Sequence, residues 1–168
     1  VGSAGTILTS PDGSAWTSRT SGTTSAIYGI TYGDGTFVAV GEGGIILTSS
    51  DGSTWTPRTS GQNSTLTNVT YANGKFVTVG NLGIILNSPN GTTWTPSTSG
   101  TTNAFSGITY GDSTFVAVGE GGIILTSPDG TSWDSSTSGT SSFLLGITQA
   151  NGTLVTVGAT VGAAGTIL

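Results

Sequence analysis

The stretch LTNVTYANGKFVTVGNLGIILNSPNGTTWTPSTSG, Leu66 to Gly100, decides the fold, because the rest of the chain is written as variations on it. Trp16, Trp55, Trp94 and Trp133 recur every 39 residues, as do Leu8, Leu47, Leu86 and Leu125. Gly2, Gly41, Gly80, Gly119 and Gly158 keep the same step. A fixed period of this length marks a repeat architecture in which each unit is one supersecondary element. Residues 30–49 and 108–127 differ only at Gly35 against Ser113, which points to duplication of a two-unit block. The 168 residues therefore read as a single repeat domain with units at about 1–26, 27–65, 66–104, 105–143 and 144–168, the first and last partial.

Each unit divides into four short runs. Leu66–Tyr71 carries Val69 and Tyr71 on one face. Ala72-Asn73-Gly74 follows, matched by Gly33-Asp34-Gly35 and Ala150-Asn151-Gly152, and Asn-Gly or Asp-Gly supplies the positive φ values of a two-residue hairpin. Phe76–Val79 is apolar on both faces, so it should lie between two layers. Gly83–Asn87 and the turn Pro89-Asn90-Gly91 precede a last run that starts at Trp94 and contains Pro96, or Pro57 one unit earlier. Proline cannot donate to a central ladder, so this run is an edge strand. No stretch has a 3.6-residue apolar period, and helices are not expected. Four antiparallel strands per unit of about 40 residues is the pattern of a β-propeller blade. A parallel β-solenoid, the competing all-β architecture, has no need of a hairpin turn in every repeat. The blades form either a closed four-blade ring or part of a larger propeller or array. Gly29, Asn68, Gly107 and Gly146 are expected on the crowded innermost strand, and each Trp is expected to be buried.

Composition removes whole classes of function. There is no His, Cys or Met, and only three cations, Arg19, Arg58 and Lys75, stand against eight acids. No thiol or imidazole metal site, Ser-His-Asp unit or disulfide framework can be built from this set. Three scattered cations cannot neutralise a phosphate backbone, so nucleic acid is not a partner. Apolar runs of three or four residues exclude membrane insertion by a helix. The 29 glycines suggest disorder, but regularly spaced aromatic and aliphatic residues supply a core. With no Met, Val1 is expected to follow a segment that was removed or that belongs to a longer chain.

The turn before each Trp reads SPDGSAW (Ser10–Trp16), SSDGSTW (Ser49–Trp55), SPNGTTW (Ser88–Trp94) and SPDGTSW (Ser127–Trp133). This resembles the Asp-box of the bacterial neuraminidase-type repeat, and the surrounding unit is similar to the propellers of photosystem II assembly and stability factors. The resemblance covers essentially the whole chain, with Asn90 replacing the acid in one copy. It implies a structural role: Asp12, Asp51, Asn90 and Asp129 cap the turn, and Trp16, Trp55, Trp94 and Trp133 pack beneath it. The residues agree, since Asx side chains hold such turns locally. Calcium at Asp12, Asp51 and Asp129 would need six or more oxygen ligands each, and one carboxylate per turn is too few. Neither metal nor cofactor is expected. The resembled family includes sialidases, which need converging arginines; Arg19 and Arg58 sit one blade apart on outer strands.

Glu42 and Glu120 are the only glutamates, repeat mates two units apart in the VGEGG connection. Across a closed four-blade ring they would face each other, and two carboxylates suffice for a glycosidase. The plainer reading is a pair of solvated loop acids copied by duplication. Asn81 holds the same place in the intervening unit. The loops Ser60–Thr65 and Ser99–Asn103 are neutral and polar, so Glu42, Asn81, Glu120, Gln62, Asn63 and Asn103 are the candidate ligand-binding residues. The expected function is a non-enzymatic structural or binding module used in adhesion or assembly, with a glycan-binding lectin as the alternative. The scarcity of charge and the absence of thiols fit an extracellular, cell-surface or virion-surface location. Protein partners or self-association are expected. VGAAGTIL (Val161–Leu168) duplicates VGSAGTIL (Val1–Leu8), both written for one third-strand slot, so Gly165–Leu168 is expected to pair outside its own units.

Overall fold

The Asn-Gly and Asp-Gly dipeptides fix the geometry of each unit. Asp34 and Gly35 have φ of 46° and 72°, Asn73 and Gly74 48° and 74°. Two successive positive φ values are those of a type I′ turn, whose twist matches that of the strands it joins. The computed structural model describes residues 1–159 and 166–167. In it β1 (Ile7–Thr9) and β2 (Thr17–Arg19) form a two-stranded ribbon. Three four-stranded antiparallel blades follow, each in simple meander order. The first is β3 (Ile27–Gly33), β4 (Thr36–Gly41), β5 (Ile46–Ser49) and β6 (Thr56–Arg58). The second is β7 (Leu66–Ala72), β8 (Lys75–Gly80), β9 (Ile85–Ser88) and β10 (Thr95–Ser97). The third is β11 (Phe105–Gly111), β12 (Thr114–Gly119), β13 (Ile124–Ser127) and β14 (Asp134–Ser136). A three-stranded sheet ends the chain: β15 (Phe143–Ala150), β16 (Thr153–Ala159) and β17 (Thr166–Ile167).

The blades stack through repeated faces. Val38, Val40 and Ile46 of one blade pack against Leu66, Val69, Phe76 and Leu86 of the next. Val77, Val79 and Ile85 meet Phe105, Ile108, Phe115 and Leu125 in the same way. Full burial of one such side chain contributes roughly 1.5–3 kcal/mol, so each junction is held by several such increments. The second strand is buried on both faces, from Phe76 to Val79 and from Phe115 to Val118. First strands line the inside. A Cβ on Gly29 would stand 2.9 Å from Asn68 Cα, so the crowding there admits only glycine. A β-bulge at Tyr28, Thr67, Ser106 and Leu145 precedes this position in every blade. From the bulge, Thr67 Oγ1 donates to the Phe105 carbonyl of the next blade at 2.8 Å, and Ser106 Oγ donates likewise to Leu144.

Three expectations need correction. One-turn 3-10 segments occur at Ser3–Gly5, Glu42–Gly44, Asn81–Gly83 and Glu120–Gly122, where the chain swings from second to third strand. They are too short to carry any apolar period. Burial of the tryptophans is uneven: Trp55, packed with Ile7 of the preceding unit, is 9% exposed, but Trp16, with no blade over it among the described residues, is 60% exposed. Finally, Thr166–Ile167 pairs with β16 of its own unit, Ile167 opposite Val157, rather than outside it. Its sequence fits that register, since Ile46 lies opposite Val40. Gly165 and Leu168 fall outside the described residues. Contacts between first strands run from β3 to β7, β11 and β15. Among the described residues no comparable contact joins β15–β17 to β1–β4, and the described blades form an arc.

Candidate functional site

The meander gives the arc two unlike rims. One carries the hairpin turns and the Ser-x-Asp-Gly turns. In the latter, Asp51 Oδ1 accepts from the backbone N–H of Ser53 and Thr54 at 2.7 and 2.8 Å. Asn90 Oδ1 accepts from Thr92 and Thr93, and Asp129 Oδ1 from Thr131 and Ser132. Asp12 accepts from Ser14 N. The serine that opens each turn closes it by accepting from the glycine N–H, as Ser49 Oγ does from Gly52 at 2.9 Å. The N–H groups of Thr54 and Ser53 hold the Asp51 carboxyl down at about 2. The Thr131 hydroxyl and two N–H groups hold Asp129 well below the usual carboxylate range, and Ser14 lowers Asp12. Trp16, Trp55 and Trp94 donate Nε1–H to the carbonyls of Gly13, Gly52 and Gly91. Trp133 Nε1 has no partner among the described residues, and the Gly130 carbonyl accepts instead from Ser97 Oγ at 3.4 Å. These side chains are spent on the turns.

The other rim carries the 3-10 turns and the loops between blades. Three repeat-related grooves of about 650, 570 and 710 Å³ run along it. Each is walled by a 3-10 turn on one side and by the outgoing fourth strand and its loop on the other. The first is lined by Ala4–Thr6 and Ser18–Thr24, the second by Glu42–Ile45 and Arg58–Asn63. The third and largest lies between Leu82–Leu86 and Pro96–Thr102, with Gln62 at its edge. An axial pocket of about 350 Å³ opens on the same rim between Tyr28, Thr67, Asn81, Phe105 and Phe143.

The structure groups some of the expected residues and separates others. Glu42, Gln62 and Asn63 share the second groove, Gln62 also reaches the third, and Asn81 lines the axial pocket. Asn103 Nδ2 donates to the Glu120 carbonyl at 3.0 Å. Glu42 Oε2 accepts from Ala26 N at 3.3 Å and Glu120 Oε2 from Ala104 N at 3.4 Å, so each carboxylate holds the entry to its own blade. They line no common cavity among those described. Among the described residues no three His, Cys, Asp or Glu side chains group to hold a metal ion. Arg19 and Arg58 each donate Nε–H to a threonine hydroxyl, Thr9 and Thr48, at 2.8 Å.

Sequence reasoning passed over Tyr28, Phe143 and Leu82. Leu82 is 66% exposed at φ 57°, in the centre of a 3-10 turn where the repeat mates are Ala4, Gly43 and Gly121. A non-glycine residue there is held in a sparsely populated region. Comparing the units position by position would have singled it out.

No family model matches the chain, and no curated protein matches it. Solved structures do. Over 94% of its length the chain is similar to YCF48 bound to D1 peptide, with a TM-score of 0.72 and 22% identity over 55% of that chain. YCF48 from Cyanidioschyzon merolae gives a TM-score of 0.71 and 17% identity over 94% of this chain and 59% of that one. The computationally designed Ika4 protein gives a TM-score of 0.68 and 14% identity over 86% of this chain and 91% of that one. The fold is a β-propeller. The chain spans about half the length of the YCF48 chains it resembles.

Proposed function

We propose that the chain is a non-catalytic, extracellular or surface-exposed propeller module whose groove-bearing rim holds a segment of another protein. The observation that carries this reading is Leu82. A branched hydrocarbon side chain stands in solvent, in left-handed backbone, on the lip of the largest groove. It contributes nothing to the core there, whereas a partner laid along the groove would bury it. Pro96 and Ile84 add apolar wall, and the loop Ser97–Thr102 offers the hydroxyl and backbone groups that an extended peptide needs. The likeness to a propeller bound to a peptide supports a protein segment as the ligand. Lack of catalysis is supported by the capping duties of Asp51, Asp129, Glu42 and Glu120. The surface location is supported by the absence of thiols and the few charges.

The test is selection of peptides from a random display library against the immobilised chain, followed by binding to Leu82→Gly. Glycine suits the turn, so the variant folds. Loss of peptide binding with an unchanged or higher melting temperature is the expected result. Binding that survives Leu82→Gly and Gln62→Ala overturns the assignment of the groove. A glycan array reads out the lectin alternative, and reproducible sugar binding without peptide binding replaces this reading with that one.

A further inference from the structure

We propose that the cleft between the first two four-stranded blades is a binding site for a singly charged tetrahedral oxyanion, a sulfate ester, held by Arg58. The chain has three cations, Arg19, Arg58 and Lys75. Each lies at a junction where the next unit brings up its Ser-x-Asp-Gly turn. Arg58 and Asn90 line one cleft of about 250 Å³ between β4–β6 and the turn that follows β9. A Cβ on Gly130, beside Asp129, would stand 3.3 Å from Lys75 Cδ. A Cβ on Gly52, beside Asp51, would stand 3.6 Å from Cγ2 of Thr9, the threonine that holds Arg19. Ser97, the repeat mate of Arg58, also reaches across its junction, to the Gly130 carbonyl. Two of the three cations thus look across a junction toward an aspartate turn, and Arg58 looks toward an asparagine.

That exchange alters what the junction can hold. Oδ2 of Asp51 accepts from Thr54 Oγ1, and Oδ2 of Asp129 from Thr131 Oγ1. In Asn90 the corresponding atom is Nδ2, because Oδ1 is fixed by the N–H groups of Thr92 and Thr93. A charged acceptor has become a donor. Arg58 is half-buried, and its Nε–H donates to Thr48 Oγ1 at 2.8 Å. The guanidinium is thereby oriented while its other N–H groups stay available. Thr36, Thr48 and Thr56 of one blade and Thr92 of the next add hydroxyls, and no carboxylate lines the cleft. The acids on either side are engaged elsewhere. Asp51 accepts from the N–H of Ser53 and Thr54, and Glu42, which shares the second groove with Arg58, accepts from Ala26 N.

A partly desolvated cation is costly unless a counter-charge meets it. The charge wanting here is the single negative one that an aspartate brings to the other junctions. One guanidinium balances one such charge, which favours a monoanion over a phosphate dianion. The donors also exceed what the two oxygens of a carboxylate can use. The free N–H groups of Arg58, Nδ2 of Asn90 and the hydroxyls of four threonines line the cleft from two blades. A sulfate ester presents three terminal oxygens on one singly charged centre, and its fourth oxygen links it to the molecule that carries it. The cleft uses no residue of the Leu82 groove, so either proposal can fail without the other.

The probes are methyl sulfate, inorganic sulfate and acetate, titrated at constant ionic strength into the isotope-labelled chain and followed by NMR. Methyl sulfate is expected to shift the Arg58 Nε–H and Asn90 Nδ2–H₂ signals saturably, and to bind more tightly than either other ion. The Arg19 Nε–H signal should not follow them. Arg58→Ser copies the side chain found at Ser97, so the variant folds, and the Asn90 shifts should vanish in it. Asn90→Asp restores the acid of the other turns; it should weaken methyl sulfate binding about tenfold and raise the melting temperature when no sulfate is present. Equal shifts at Arg19, or Asn90 shifts that survive Arg58→Ser, would show a diffuse ion atmosphere and overturn the site. Tighter binding of acetate overturns the tetrahedral class, and tighter binding of inorganic sulfate overturns the ester. Undiminished affinity in Asn90→Asp overturns the part assigned to the exchange.

Discussion

Leu86 and Leu8 hold the same place in the repeat, yet one is sealed in a junction and the other is 45% exposed. Trp55 and Trp16 differ in the same way, and so do Val40 and Val157. Leu8 and Trp16 share with their mates the register to the fourth strand, the turn that follows and even the indole hydrogen bond to a glycine carbonyl. What differs is the neighbour. Each unit is written with two apolar faces, and a face is worth its burial only where another unit lies on it. A side chain in a repeat protein has no fixed energetic value; its junction does.

That contrast is open to attack, best with single chains at concentrations where light scattering reports one copy. The largest gap should separate Phe76→Ala, costing roughly 3–5 kcal/mol as a core truncation, from Leu154→Ala at the same repeat position, costing about 1 kcal/mol or less. Urea titrations decide it, and equal costs would break the comparison. Leu86→Ala against Leu8→Ala should show a gap of about 2–4 kcal/mol. Smaller effects lie in the turns. Ser113, at φ 62°, occupies a position where Gly35 stands in the near-identical first blade. Ser113→Gly should therefore stabilise by roughly 1 kcal/mol, the cost of left-handed backbone, while Gly35→Ser destabilises by a similar amount. The smallest effect concerns acid. The Asp51 carboxyl is lowered from 3.8 to about 2, so its contribution is full above about pH 4 and is lost as the pH falls toward 2. Asp51→Asn should flatten that acid limb, and Asn90→Asp should steepen it; a limb indifferent to both would mean the turns do not titrate with folding.

Much of the fold was legible because it is local. Asn73-Gly74 announces its hairpin, Pro57 and Pro96 announce edge strands, and the 39-residue step aligns the rest. What depends on neighbours was not legible. The period says that Trp16 equals Trp55, and nothing within the repeat tells that among the described residues only Trp55 has a preceding blade packed on it. The rim residues divided similarly. Gln62, Asn63 and Glu42 were reachable as polar loop groups, and the structure gathers them in one groove. Tyr28 and Phe143 come from blades far apart in sequence and line one pocket only through the curvature of the arc. Leu82 was legible in principle, since its column otherwise holds Ala and Gly, but its meaning comes from a left-handed φ that sequence alone does not print.

The matched faces also bear on inheritance. Because every junction obeys one rule, a whole blade can be gained or lost by unequal recombination without redesigning any contact. The near identity of residues 30–49 and 108–127 is the trace of such an event at the scale of two blades. Selection on such a chain acts on copy number as well as on residues.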